Sequence, residues 1–193
     1  MADILQTVKS VLSSPAARRI DFHLGLINVD AAGLAAIHNF VATGIVSIKV
    51  GELKAGVAGQ YFNESNTLRF KREDYGASGD SFERATILHE CVHALHDMYG
   101  GGYYHPKGGS QFVKAIDNEA AAYVADQLFY LYDTGMVQNH DRVADVAGVI
   151  ARRIMNKPGA FVTTAETNAL RVALLLSGNY NYPIDTLTGA NGP

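Results

Sequence analysis

The residues with the clearest chemistry lie in one stretch, Ala85-Thr86-Ile87-Leu88-His89-Glu90-Cys91-Val92-His93-Ala94-Leu95-His96-Asp97. It contains H-E-x-x-H as His89, Glu90 and His93. On an α-helix, positions i and i+4 lie one above the other on the same face. Two imidazoles at that spacing can bind one Zn²⁺, with N–Zn distances of about 2.0–2.1 Å. Glu90 sits about 100° further round the helix. It is badly placed to ligate the same ion and well placed to act on water beside it, as a general base does. Ile87, Leu88, Cys91, Val92, Ala94 and Leu95 make the rest of this helix apolar. Two His and a Glu in such surroundings are costly without a partner. Cys91 points away from the histidine face and reads as a buried, inert thiol.

A catalytic zinc usually takes three protein ligands, so a third is owed. Glu119, in Asp117-Asn118-Glu119-Ala120-Ala121-Ala122-Tyr123, is the leading candidate. The alanines allow two helices to approach closely, and a carboxylate among them needs an ion or a pair. His96 is the rival. It shares the face of His89 and His93, but seven residues span about 10 Å of helix axis, too far for His89 and His96 to meet at one ion. It reads better as a group lining the cleft. His105 and His140 are weaker alternatives, and Asp97 and Asp126 are candidates to accept a ring N–H. His23 and His38 read as ordinary surface or packing residues.

The elements that must position these groups follow from pattern. Ala2–Ser14 has helical spacing. Ile20–Val29 alternates and predicts one strand. Asp30 caps a helix over 31–43 that Gly44 closes. Ile45–Val50 predicts a strand. Val57–Phe62 and Thr67–Lys71 predict a hairpin turning at Asn63-Glu64-Ser65-Asn66. Half-exposed Thr67–Lys71, just before the metal helix, reads either as an ordinary sheet strand or as one to which an extended peptide could add. Asp80 or Ser81 starts the metal helix, with Glu83 placed for a capping box, and Gly100-Gly101-Gly102 ends it. A Gly-rich loop follows, carrying Tyr103, Tyr104 and His105. Ser110–Thr134 is the longest predicted helix. Helices over 141–155 and from Thr163 or Thr164 to Leu176 complete the pattern, followed by an irregular tail over 178–193. The chain reads as one domain, with a core of about 20–135 and a C-terminal helical part of about 136–177.

With 193 residues, 48% hydrophobic and 18% charged, the chain can bury a sizeable core. A net charge of −3 gives no basic field for nucleic acid or an anionic membrane. One cysteine excludes an internal disulfide framework. The acidic start Met-Ala-Asp-Ile is unlike a signal peptide, and no apolar run reaches membrane-spanning length. A cytoplasmic location is expected, with signal-less export left open. The pattern leaves oligomeric state open.

His89-Glu90-Cys91-Val92-His93, followed by Asn118-Glu119-Ala120 on a later helix, resembles the gluzincin branch of the zincin metallopeptidases. The Glu119-x-x-Ala122-x-x-Ala125 run is similar to the ImmA/IrrE family of small zinc peptidases. The resemblance covers about Leu68–Leu131. It implies an α+β, zincin-like fold with a small twisted sheet whose edge strand lies beside the metal helix. It also implies zinc on His89, His93 and Glu119, Glu90 as base, and a peptide or protein substrate. The tyrosine or histidine that steadies the tetrahedral oxyanion in larger gluzincins has only candidates here: His96, Tyr103, Tyr104 and His105. The metzincin pattern is absent, and no helix-turn-helix module is evident. Two alternatives stand beside the peptidase: a non-catalytic zinc-stabilised peptide- or protein-binding module, and a toxin-like effector.

Overall fold

The computed structural model describes residues 3–100, 113–178 and 187–188. The fold is mixed α and β. It contains α1 (Ile4–Leu12), β1 (Asp21–Leu24), β2 (Ile27–Asp30), α2 (Ala31–Thr43), β3 (Ser47–Val50), β4 (Gly59–Phe62), β5 (Thr67–Phe70) and α3 (Ser81–Gly100). Then come β6 (Val113–Lys114), α4 (Ala115–Thr134), α5 (Arg142–Ile154), β7 (Ala160–Val162), α6 (Thr164–Ser177) and β8 (Leu187–Thr188). Among the described residues, no helix is long and apolar enough to cross a membrane.

The seam between α3 and α4 is the centre of the molecule. On one side α3 packs against α1, α2 and the β4–β5 hairpin; on the other, α4 packs against α5 and α6. Neither central helix has a wide polar face. In α3, Ile87, Leu88, Cys91, Val92 and Ala94 are fully buried, and in α4 so are Ile116, Ala120, Ala121, Val124, Ala125 and Phe129. Alanines on α4 bring the two backbones close, so few polar side chains fit in the seam, and those that do face one another.

Three small sheets flank this pair, with strand orders β2-β1-β7, β3-β5-β4 and β6-β8. In the second sheet β5 is central, paired parallel with β3 and antiparallel with β4. Leu68 and Phe70 point into the core and Arg69 does not, as the alternation predicts. The hairpin turn falls at Asn63–Asn66, where Asn66 takes a left-handed conformation at φ 45°.

Several expectations change. Ile20–Val29 is two strands, not one: Leu24 pairs with Ile27, and Gly25 turns the chain at φ 59°. The signal was a slip in phase, since Leu26 is 68% exposed while Leu24 and Ile27 are buried. Thr67–Lys71 cannot receive an added strand, because both edges of β5 are already paired; the edge beside α3 belongs to β4. The long helix starts at Ala115 rather than Ser110, with Val113–Lys114 paired to Leu187–Thr188 inside the expected irregular tail. β7 has three residues and pairs parallel with β1, too short to show a period.

Caps follow the sequence with one exception. Asp30 accepts from Gly33 N–H at 2.6 Å and Asp141 from Ala144 N–H at 2.8 Å. Thr163 and Glu166 form a complete capping box. Asp80 accepts from Phe82 N–H at the start of α3, but Glu83 does not close a box with it. Its carboxylate accepts instead from Gly76 N–H at 2.7 Å and pairs with Arg72, tying the preceding loop to the helix.

Candidate functional site

Along α3, Thr86, His89, His93 and His96 are the partly exposed positions between Ala85 and Met98, a single stripe between buried residues. His89 and His93 on this stripe face α4. There Glu119 and Tyr123 stand one turn apart, with Asp126 at i+7 from Glu119, all on the face of α4 turned to the histidines.

His89 Nε2 lies 3.3 Å from Glu119 Oε1, and His93 Nε2 lies 3.3 Å from Glu119 Oε2. One donor atom from each residue falls within 4.8 Å of the others. Two ligands held 2.0–2.1 Å from one ion at a tetrahedral angle are themselves about 3.3–3.4 Å apart. The two His–Glu spacings, one to each oxygen of Glu119, are compatible with that separation, and these three residues could hold a metal ion. His96, further along the same stripe, is not in this group of three; the third donor comes from α4, as a straight helix requires.

The electrostatics suit a cation. Burial alone would raise the Glu119 carboxyl, but His89 and His93 outweigh it and hold the group well below the usual carboxylate range. Burial alone would lower His89, but Glu119, Glu90 and Asp126 lift it to about 9. Without an ion, a protonated His89 beside Glu119 supplies the positive charge. Asp126 Oδ2 stands 3.9 Å from His89 Nδ1, on the ring nitrogen facing away from Glu119. Burial, chiefly, pushes the Asp126 carboxyl up to about 7, with His89 opposing.

Glu90 is 8% exposed and turned toward the hairpin. Its Oε2 accepts from Tyr61 N–H of β4 at 2.8 Å. The Tyr61 hydroxyl lies 2.7 Å from Asp97 Oδ2 and 2.8 Å from Asn66 Oδ1. Burial and the Asp97 carboxylate together raise this phenol far above its ordinary value.

The chain matches no protein-family model, no curated protein and no solved structure.

The structure brings His89, His93 and Glu119 together, sets Glu90 on the hairpin side, and places Asp126 beside His89. Asp97 meets the Tyr61 hydroxyl. Tyr103, Tyr104 and His105 lie outside the described residues. Of the remaining histidines, His23 stacks on Phe161 with ring centres 4.7 Å apart. His140 stands edge-on to Phe82 and 3.4 Å from Asp141. Cys91 is fully buried, and burial pushes its thiol far up.

Three site residues escaped the sequence reading. Tyr123 packs edge-to-face on His89 with ring centres 5.1 Å apart, forming a wall of the site. Its spacing of four from Glu119 could have found it. Tyr61 and Gly59 carry no such signal, because only the hairpin's docking on α3 places them at Glu90.

Proposed function

We propose that this protein is a zinc-dependent peptidase of gluzincin type, with His89, His93 and Glu119 as ligands and Glu90 as general base. The observation that carries the reading is the pair of 3.3 Å separations from Glu119 to His89 and His93 with Glu90 one residue on. Zinc, when bound, supplies Lewis acidity that lowers the pKa of water and polarises a carbonyl. Two neutral histidines and one carboxylate suit zinc, and among the described residues no fourth donor joins this group of three, as a catalytic zinc that also binds water requires.

Glu90 accepts a proton from the attacking water as the new C–O bond forms at the carbonyl carbon. It then delivers that proton to the leaving nitrogen as the C–N bond breaks, so the products are an acid and an amine. Asp126, after a small shift, accepts the Nδ1–H of His89 and keeps Nε2 free to ligate. Tyr123 holds the His89 ring from the side.

The test is cleavage of a quenched-fluorescence peptide library by the zinc-loaded protein and by Glu90→Gln. Zinc-dependent cleavage is expected in the wild type, with a loss of at least about 100-fold in Glu90→Gln at unchanged zinc content. Equal activity in the two proteins would refute the mechanism. Stoichiometric zinc without cleavage would favour the zinc-stabilised binding module.

A further inference from the structure

The general base is held from outside its own helix. Glu90 and Asp97 are seven residues apart on α3, stacked on one face about 10 Å from each other along the axis. Tyr61 spans that distance. Its N–H donates to Glu90 Oε2 at 2.8 Å, and its hydroxyl meets Asp97 Oδ2 at 2.7 Å. Asn66, at the end of the hairpin turn, joins the same hydroxyl at 2.8 Å. The hairpin is thus fixed to the helix at two points by one residue.

Register explains why this N–H is available. Tyr61 faces Leu68 across the β4–β5 pair, and its N–H points away from β5 toward α3. Gly59, two residues earlier, shares that orientation. A Cβ at position 59 would stand 3.2 Å from Glu90 Cγ and 2.9 Å from Cε1 of Phe70. The Phe70 ring is fully buried and cannot swing away. Any side chain there must shift β4, Phe70 or the Glu90 side chain.

The geometry points to Tyr61 and Gly59 as positioning residues for Glu90: Tyr61 fixes one carboxylate oxygen so that the other faces the reacting water, and Gly59 lets the strand come close enough to do so. This rests on the peptidase reading above. Neither residue touches the metal ligands, so the inference predicts loss of turnover without loss of metal. A base displaced by about 1 Å costs on the order of 100-fold in rate.

The experiment compares zinc-loaded wild type, Gly59→Ala and Tyr61→Phe on the best-cleaved quenched peptide. Zinc per chain, KM, kcat and the ¹H–¹⁵N resonance of the Tyr61 amide are read together. Expected are wild-type zinc, KM within about twofold, kcat down about 10- to 100-fold in both variants, and a displaced Tyr61 amide resonance in Glu90→Gln. A role in folding alone would not separate kcat from KM and zinc content. Tyr61→Phe keeps the N–H that meets Glu90 and removes only the hydroxyl that anchors Tyr61 to Asp97, so it tests the anchor, and it carries the test if Gly59→Ala does not fold: with the anchor gone, the residue 61 amide resonance should shift as kcat falls. Wild-type kcat in the variants, or loss of zinc together with kcat, would overturn the inference. If the zinc-loaded wild type cleaves nothing, the peptidase reading itself fails, and this inference with it.

Discussion

His89 Nε2 and Glu119 Oε1 stand 3.3 Å apart across the seam between α3 and α4. In the metal-free protein this contact is a hydrogen-bonded ion pair; with an ion present it becomes an edge of the coordination shell. The two states differ by a proton, so the site's stability depends on pH with opposite sense when empty and when loaded.

The folded His89 value, about 9, lies above the ordinary 6.5. Its pairing therefore stabilises the metal-free protein fully below pH about 6.5, and that stabilisation is lost as pH rises through about 9. Glu119 is shifted down, so its share is present above the usual carboxylate range and lost only in acid. Chelator-treated wild type should show Tm falling by a few degrees between pH 6.5 and 9. His89→Asn should remove most of that slope. Zinc-loaded protein should show the reverse, with stabilisation by zinc growing over the same range because protons compete for the ligand. The same Tm slope in wild type and His89→Asn would contradict this account.

Zinc uptake near pH 7.5 should release protons, since His89 carries one in the empty site. Titration of zinc into weakly buffered protein with a pH indicator measures this. No proton release on stoichiometric binding would mean that His89 is not protonated in the empty site.

Asp126 is 6% exposed, and its Oδ2 lies 3.9 Å from His89 Nδ1. Asp126→Asn keeps the shape but weakens the acceptor. Zinc affinity, measured by competition with a chromophoric chelator, should fall about 10- to 100-fold. An unchanged affinity would remove Asp126 from the account.

Gly148 lies where α5 meets α4. A Cβ there would stand 3.2 Å from Val137 Cβ and 3.4 Å from Gln127 Oε1. Gly148→Leu should destabilise the fold by about 1–3 kcal/mol through overpacking. The urea midpoint reports it. Zinc content should persist, because Gly148 is not among the ligands.

Cys91 should resist a thiol reagent in the native protein and react at once in denaturant, because it is fully buried and its thiol is pushed far up. Rapid native labelling would mean that α3 opens readily.

The part of the site within reach of sequence is the part carried by single helices. His89, Glu90 and His93 follow from i, i+4 spacing, and Glu119 from a carboxylate stranded among alanines. Tyr61 and Gly59 were out of reach because they meet Glu90 only through hairpin register and docking, which no local period encodes. Tyr123 lay within reach at i+4 from Glu119. In the fold, helix caps at Asp30, Asp141 and Thr163 were legible because each is set by a few neighbouring residues. The central place of β5 and the β6–β8 pair were not, since both depend on partners distant in the chain.

Zinc per chain, by elemental analysis of wild type, Glu119→Ala and His96→Ala purified without added metal, tests the central claim most directly. The account predicts near-stoichiometric zinc in wild type and His96→Ala, and its loss in Glu119→Ala. Loss with His96→Ala and retention in Glu119→Ala, or no zinc in the wild type, would contradict it.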